Sequence, residues 1–285
     1  MEANRELQSH RPLTDREFAL FQRLIHRETG IFLPEVKKAL VVARLSRRLR
    51  SLGLASFGQY FEVVEQDRDG EKTVMLDNIC TNETRFFREP RQFEFLENEV
   101  LPAWKARGEE GRMPKRIRVW SAACSTGEEP YSLAMILRTH FPAESGWSIE
   151  ILASDLSTKV LATAREGVWP FHRASEIPPA YLRAYMLRGV KSEEGKIRAQ
   201  PNIRSLIEFR KINLNEEKYP VSGPFDLIFC RNVLIYFNRE TKAAVVNRLA
   251  QQLSPTGLLF LGHSETLHGA AHALRHAGPT AYARS

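Results

Sequence analysis

The chain has 285 residues, of which 43% are hydrophobic and 26% charged, a composition typical of globular proteins with one or two domains. Its formal net charge is +7 and its pI about 9.4, so we expect acidic partners, although charge alone does not distinguish nucleic acid from an acidic protein. No apolar run approaches the roughly 20 residues of a membrane-spanning helix, and the charged start lacks the apolar core of a secretory signal. We therefore expect a cytoplasmic protein without direct membrane insertion.

The cysteines and histidines predict neither a disulfide framework nor a metal site. Cys80, Cys124 and Cys230 are odd in number, far apart and without a Cys-x-x-Cys pair, so buried thiols are the favoured interpretation. The eight histidines show no spacing typical of metal ligands, and we predict no metal.

The first third of the chain is predicted to be helical. Residues 14–17 form a capping-box pattern, and apolar residues then recur at helical spacing up to Gly30. A second helix is predicted from Pro34 to Gly53, a third over 56–66 and a fourth over 73–82. The apolar stripe of the second helix is predicted to consist of Val36, Val41, Leu45 and Leu52.

The other side of the second helix is strongly basic, and only Glu35 opposes its charges. The basic residues are Lys37, Lys38, Arg44, Arg47, Arg48 and Arg50. Such a face either binds an acidic partner or is simply solvated.

Strands and helices alternate in the rest of the chain. Strands are predicted at 116–120, 150–155, 206–210, 225–230 and 258–262, and helices at 131–140, 159–166 and 241–253. This alternation predicts a parallel sheet with helices on both faces. Residues 181–202 interrupt this alternation of strands and helices. Short strand-like runs there flank a Gly189–Gly195 turn and predict a small antiparallel insertion.

The turn over residues 121–130 follows the first strand, where ligands of open α/β sheets bind. Its small residues allow close backbone approach, but it lacks both the G-x-G-x-x-G pattern and the ending of a phosphate-binding loop. Glu128 and Glu129 would repel a pyrophosphate and suit a cationic group such as an ammonium or sulfonium. The alternative is a tight turn with a charged helix start.

Asp155 ends the second predicted strand, where an acid commonly accepts hydrogen bonds from a ribose diol. The alternative is the N-cap of the next helix, which Asp155, Ser157 or Thr158 could provide. Residue type alone does not decide between the two roles.

Polar residues also follow the later strands. Asn213 and Leu214 could hold the edge and the face of an adenine. Arg231 and Asn232 come directly after the strand 225–230, which exposes them to the ligand cleft. Tyr236 could reach back to the same cleft or be a core aromatic residue.

These motifs, taken in order, resemble the chemotaxis receptor protein-glutamate O-methyltransferases, the CheR type, over almost the whole chain. The matching stretches are 81–89, 120–132, 153–155, 225–237 and 262–265. The resemblance implies an α/β fold with an N-terminal all-helical domain. It further implies a Rossmann-like S-adenosylmethionine methyltransferase domain carrying a small inserted antiparallel β-subdomain. We accordingly predict a receptor-docking domain over 1–90, a linker over 91–114 and a methyltransferase domain over 115–285, with the insertion at about 181–202.

The resemblance also implies the roles of particular residues. The cofactor S-adenosylmethionine is expected to contact Asn82, Thr84, Arg88, Glu129 (or Glu128 in its place), Asp155, Asn213, Leu214, Arg231 and Asn232. Arg88 and Tyr236 resemble the pair nearest the transferred methyl group. His263 and Ser264 are expected to hold loops together by hydrogen bonds.

The implied reaction agrees with these residue types. A glutamate carboxylate is ionised near pH 7, because its reference pKa is about 4.3, so methyl transfer to it needs no general base. Arg88 could hold the substrate carboxylate in a fork. The implied partners are the acidic cytoplasmic helices of chemoreceptors, which the basic helix would contact, and in some members a receptor C-terminal peptide bound by strand addition at the insertion. We expect a monomer.

Two rival interpretations remain. A nucleic-acid methyltransferase is disfavoured, because the place of an Asn/Asp-Pro-Pro-aromatic motif holds residues 231–234, Arg-Asn-Val-Leu, and no cysteine follows a proline. The other rival is a catalytically silent receptor-binding module, against which the joint presence of Arg88, Asp155, Arg231 and Tyr236 speaks.

Overall fold

The first helix begins and ends where its capping residues predict. In this computed structural model, which describes residues 11–265, 267 and 274–284, the Thr14 hydroxyl accepts from the Glu17 amide and the Glu17 carboxylate accepts from Thr14. Gly30 ends the helix in the left-handed region, with φ 75°. The predicted capping box is confirmed.

Four helices make up most of a first compact unit, which runs to Thr81 and includes Tyr236–Asn238. They are α1 Asp15–Thr29, α2 Lys38–Ser51, α3 Phe57–Gln66 and α4 Glu71–Ile79. A 3₁₀ turn, Glu35–Lys37, precedes α2, so Val36 is 83% exposed and its predicted place in the apolar stripe is wrong. Leu52 lies beyond the end of α2, and Leu49 is buried beside Val41 and Leu45 instead.

The second unit comprises Asn82–Ile235 and the chain from Arg239. It begins with α5 Pro90–Phe95, a π-helical turn Leu96–Val100 and α6 Leu101–Glu109. Phe93, Leu96, Leu101 and Trp104 from this stretch are buried in its main hydrophobic core. The stretch 91–114, predicted to be a linker, is instead largely helical, and its apolar residues pack in the core of the second unit.

The described strands of the second unit form two sheets. They are β1 Arg116–Ala122, β2 Ser148–Asp155, β3 Val168–Pro170, β4 Met186–Arg188, β5 Lys196–Ala199, β6 Ile207–Lys211, β7 Phe225–Cys230, β8 Leu253–Leu261, β9 Leu274–Gly278 and β10 Ala281–Arg284. The larger sheet has the order β6-β2-β1-β7-β8-β10-β9. Its first five strands are parallel, whereas β10 pairs antiparallel with both β8 and β9. The sheet was predicted to be parallel, and the antiparallel strands β9 and β10 at one edge correct that prediction.

The second sheet is the predicted antiparallel insertion. Its strand order is β3-β5-β4, and both pairs are antiparallel. The insertion begins at Val168 rather than near 181, because Tyr181 lies in the short helix α9 Pro179–Tyr185. We call residues 168–199 the inserted sheet.

The remaining helices of the second unit connect the strands. They are α7 Glu128–His140, α8 Thr158–Glu166, α10 Pro201–Arg204 and α11 Arg239–Gln251. Within the described residues, no helix is both long and apolar enough to cross a membrane.

Candidate active site

The carboxyl ends of β1, β2, β7 and β8 meet at one edge of the large sheet, because these strands are parallel neighbours. Among the described residues of this region, five that are not glycine have left-handed backbone angles: Phe87 (φ 50°), Glu89 (φ 63°), Ala123 (φ 73°), Ser125 (φ 50°) and Asn232 (φ 58°). Such strain persists only where the surroundings hold it, and it clusters at functional sites.

Asp155 ties the end of β2 to the turn after β1. Its Oδ2 accepts from the Ser125 amide at 2.8 Å and its Oδ1 from the Ser157 amide at 3.0 Å. The N-cap of α8 is Ser157, whose hydroxyl accepts from the Val160 amide. The cap role is thus filled by Ser157, while the ribose contact of Asp155 stays a prediction.

Glu129 is buried and bound at both oxygens. The Ser121 hydroxyl donates to its Oε1 at 2.7 Å, and Arg231 Nε donates to its Oε2 at 2.6 Å. The predicted cofactor residues Glu129 and Arg231 are therefore brought together as a buried ion pair between α7 and the end of β7.

Arg231 also fixes the segment that precedes α5. Its side chain is 2% exposed, and its Nη1 donates to the Arg88 carbonyl at 2.6 Å and to Gln92 Oε1 at 2.8 Å. The guanidinium lies over the rings of Phe93 and Phe229, at 5.4 and 5.6 Å. Arg231 positions the backbone of Arg88, a role that the sequence did not predict.

Glu128 is the more deeply buried of the two adjacent acids, with 1% of its surface exposed. The Thr126 hydroxyl donates to its Oε2 at 2.6 Å, and Arg173 Nη2 lies 3.3 Å from its Oε1. Burial raises the pKa of Glu128. Both glutamates hold the site together, so neither is singled out as the cofactor contact.

The segment from Asn82 to Glu89 is fastened to the turn after β1 and to α7. The Ser125 hydroxyl donates to the Asn82 carbonyl at 2.8 Å, and the Phe87 amide donates to Ser132 Oγ at 3.1 Å. Arg88 Nη1 donates to the Glu83 carbonyl at 3.0 Å, and its side chain is half-buried. Asn82 and Thr84, also half-buried, lie on this segment as predicted cofactor residues.

Glu89 joins two further loops to this segment and was missed by the sequence analysis. Its Oε1 accepts from Asn232 Nδ2 and from the His263 amide, both at 3.2 Å. In the part of the chain that the structure describes, its buried Oε2 has no hydrogen-bond partner, and Arg231 Nη1 is 3.7 Å away. Its place directly after Arg88 in the motif 81–89 was the available signal.

Glu265 holds the loops after β7 and β8 together. It is fully buried and accepts from the amides of Asn232 at 2.8 Å, Gly262 at 2.7 Å and Ile235 at 3.3 Å. Burial raises the pKa of Glu265, although the hydrogen bonds from these amides act to lower it. His263 was expected to hold loops together, and its backbone amide does so by donating to Glu89. Glu265 makes more of the hydrogen bonds between these loops.

Asn213 and Leu214 follow β6 as predicted. The Asn215 amide donates to Asn213 Oδ1 at 2.9 Å. Leu214 is buried, and its carbonyl accepts from the Tyr219 hydroxyl and from Arg248 Nη2, both at 3.0 Å. The loop is thereby fixed, and its contact with an adenine stays a prediction.

Tyr236 belongs to the first unit, whereas Arg88 belongs to the second. The Tyr236 carbonyl accepts from the Phe32 amide at 2.8 Å, and its side chain is half-buried. Among the described residues, no hydrogen bond to its hydroxyl is found, and the role of Tyr236 near the transferred methyl group stays a prediction.

The basic residues around α2 divide into two groups. Arg44 donates to the Cys80 carbonyl at 2.9 Å, Arg48 pairs with the buried Glu71, and Lys38 pairs with Asp15 at 2.7 Å. The other three are exposed. They are Lys37, Arg47 and Arg50.

The second unit buries far more negative than positive side chains at the strand ends. Among its described residues, the buried carboxylates are Glu89, Glu128, Glu129, Asp155 and Glu265, against one buried arginine, Arg231, and the half-buried Arg173 that pairs with Glu128. In the ranges described, no three potential ligands are grouped to hold a metal ion. The arrangement therefore suits an organic cation, whose charge would offset the excess of carboxylates.

Comparisons with known proteins agree across both units. The family described as "CheR methyltransferase, all-alpha domain" matches residues 16–80, and "CheR methyltransferase, SAM binding domain" matches residues 82–283. Chemotaxis protein methyltransferase 2 of Pseudomonas aeruginosa is 41% identical over 269 residues, which are 94% of this chain and 93% of that one. The chemotaxis protein methyltransferase of Escherichia coli is 40% identical over 275 residues, 96% and 92% of the two chains. A solved structure of PKMT2 from Rickettsia typhi with AdoHcy covers 52% of this chain and 21% of that one, at 16% identity and a TM-score of 0.33.

Proposed function

The chain belongs to the CheR methyltransferase family, and on that premise we propose that it methylates glutamate side chains of chemotaxis receptors. Its methyl donor is S-adenosylmethionine, and the products are a glutamyl methyl ester and S-adenosylhomocysteine. The observation that carries the proposal is the excess of buried carboxylates over Arg231 and Arg173 among the described residues at the strand ends.

These residues fit a sulfonium cofactor. The buried Oε2 of Glu89, for which no hydrogen bond is found among the described residues, has Arg231 at 3.7 Å, and Arg231 also pairs with Glu129. One guanidinium shared by two carboxylates leaves negative charge that a cation would offset. Asp155 would hold the ribose of the cofactor, and Asn213 and Leu214 would hold its adenine. Asn82, Thr84 and Asn232 would contact the rest of the cofactor. When bound, S-adenosylmethionine supplies the electrophilic methyl group.

The chain's own residues orient the nucleophile. A glutamate carboxylate is already ionised at neutral pH and needs no base, so its loss of water and its alignment are what the protein must provide. Arg88 can orient it with donors beyond the Nη1 that binds the Glu83 carbonyl. Arg231 holds the Arg88 backbone in place through its carbonyl. Tyr236 is proposed, from the motif 225–237 alone, as a further residue near the transferred methyl group.

Transfer of a radiolabelled methyl group to receptor-rich membranes, followed by mild alkali, tests the reaction. Label that appears on the receptor and leaves as methanol is the expected result, because a carboxyl methyl ester hydrolyses in alkali. Alkali-stable label would move the reaction to nitrogen or carbon and overturn the proposal. Absence of label with cofactor still bound would favour the silent binding module.

For receptor docking, we propose that the exposed Lys37, Arg47 and Arg50 contact the acidic cytoplasmic helices of the receptor. Cations around an acidic helix set the register and speed the encounter. Lys38, Arg44 and Arg48, which the sequence grouped with them, have partners within the first unit. The proposed docking surface is therefore smaller than the basic face of the sequence.

For the inserted sheet, we propose strand addition of a receptor C-terminal peptide at β4. This strand is at one edge of its sheet, and Leu187 within it and Val190 just after it are exposed apolar residues. Leu187→Glu should abolish binding of such a peptide while leaving cofactor binding unchanged; a peptide that binds both proteins equally would contradict the proposal. We also propose that the protein acts as a monomer, which light scattering at working concentration would test.

A further inference from the structure

The inserted sheet contacts both segments that build the cofactor side of the site. Trp169, in β3, donates from Nε1 to the Thr126 carbonyl at 3.3 Å, in the turn after β1. The same indole meets the Phe86 ring edge-on, with centroids 5.0 Å apart. One strand of the insertion thus lies against the turn after β1 and the segment Asn82–Glu89.

Arg173, in the 3₁₀ turn Phe171–Glu176 that follows β3, makes the polar part of this contact. Its Nη1 donates to the Thr84 carbonyl at 3.1 Å and to Glu176 Oε1 at 2.7 Å. Its Nη2 lies 3.3 Å from Glu128 Oε1. Glu176 completes the arrangement, since its Oε2 accepts from the Phe86 amide at 2.9 Å.

The fork of Arg173 therefore joins three chain segments that are distant in sequence. A planar guanidinium can hold a carbonyl and two carboxylates at fixed directions, which a lysine ammonium cannot. Among the described residues, Arg173 is the cation that pairs with the buried Glu128. Without it, the buried Glu128 carboxylate would lose its charged partner and keep only Thr126 and its own backbone amide as donors, and the turn after β1 would have to shift to rehydrate it.

We propose that Arg173 is a positioning residue for S-adenosylmethionine binding, acting from the inserted sheet on Thr84 and Glu128. The inference rests on the proposed function, in which Thr84 and the turn after β1 contact the cofactor. The insertion would then have a second task besides any peptide binding: it keeps the cofactor segment in its strained, ligand-ready form.

The test compares Arg173→Ala with Arg183→Ala in the full-length protein. Arg183 is an exposed arginine of the same insertion, for which the described structure gives no partner, so it controls for loss of charge. We expect Arg173→Ala to raise both the Kd and the KM for S-adenosylmethionine about tenfold, since small misplacements of positioning groups are costly. The KM for receptor and the kcat at saturating cofactor should stay within about twofold of wild type.

A second variant keeps the test decisive if Arg173→Ala does not fold. Arg173→Lys retains a charge near Glu128 but loses the fork, and it should weaken cofactor binding several-fold. A Kd unchanged from wild type in the folded variants would overturn the proposal, as would an equal effect of Arg183→Ala. If wild type binds cofactor but methylates no receptor, the proposed function fails while the Kd comparison still decides the role of Arg173.

Discussion

At the residue scale, the candidate site is built from carboxylates that bind the protein's own donors. Glu129 and Asp155 were expected to face the cofactor, yet each also holds a neighbouring loop through hydrogen bonds. Arg231 joins three chain segments, because it binds Glu129, Gln92 and the Arg88 carbonyl. Such prior fixation lowers the cost of ordering the site when ligands bind.

Arg231→Ala should destabilise the protein by about 3–5 kcal/mol, because it leaves a buried carboxylate without its partner. The free energy of unfolding in urea measures this. Arg116→Ala is the matched control, since it breaks the exposed ion pair with Glu150 and should change stability little. Equal effects of the two substitutions would show that Arg231 is not the tie between these loops.

Arg88→Ala should reduce methyl transfer by about 100-fold or more, while cofactor binds only somewhat more weakly. The reason is that Arg88 is assigned to the orientation of the substrate carboxylate. Single-turnover label transfer and a separate cofactor titration distinguish the two effects. Arg85→Ala, an exposed arginine in the same segment, is the control, and unchanged turnover in Arg88→Ala would remove this residue from the mechanism.

At the element scale, a buried carboxylate joins three helices of the first unit. Glu71, at the start of α4, accepts from Arg48 of α2 at 2.9 and 2.5 Å and from the Tyr60 hydroxyl of α3 at 2.8 Å. Burial would raise the pKa of Glu71, but the hydrogen bonds from Arg48 and Tyr60 outweigh it and hold the pKa below 4.5. Arg48 of α2 therefore contributes to helix packing through Glu71 of α4.

Glu71→Gln should cost about 1–3 kcal/mol of stability at pH 7, where the carboxylate is charged. Because the folded pKa is lowered, the stability from Glu71 is present above about pH 4.5 and is lost as pH falls through the folded value. The difference between wild type and Glu71→Gln, measured by urea unfolding between pH 7 and pH 3, should shrink towards acid pH. A difference that stays constant would contradict the lowered pKa.

At the scale of the whole molecule, the net charge of +7 gains a specific use in the proposed function. Among the described residues, five acidic side chains of the second unit are buried at the strand ends, whereas three cations around α2 are exposed. An interior that suits a cation and an outer face that suits an acidic helix are compatible because they involve different residues. The net charge of the chain does not report how acidic and basic residues are divided between interior and surface.

Reversing the exposed cations should slow receptor methylation about tenfold at low salt without changing cofactor affinity. The variant is Lys37→Glu, Arg47→Glu and Arg50→Glu, and its rate should depend less on ionic strength than that of wild type. The control carries the same change of charge on exposed residues of the first unit outside α2: Arg16→Glu, Arg23→Glu and Arg68→Glu. A slowing as large in the control would mean that net charge, not this face, attracts the receptor.

Local patterns determined much of the fold and the family. The capping box at Thr14, the limits of β7 and the alternation of strands and helices were predicted correctly, because capping and periodicity are properties of neighbouring residues. The motifs that resembled the CheR type also placed the candidate residues at strand ends. The antiparallel edge formed by β9 and β10 was missed, since short strands carry little periodic signal.

Tertiary structure alone decided which charges have partners. Arg44 and Arg48 look like Arg47 and Arg50 in sequence, but only packing brings the first two to the Cys80 carbonyl and to Glu71. The partners of Arg231 lie 102 and 139 positions away along the chain, a separation at which no local pattern reports contact. The sequence by itself determined the kind of chemistry, and the fold decided which side chains remain available to perform it, because burial and pairing depend on residues distant in the chain.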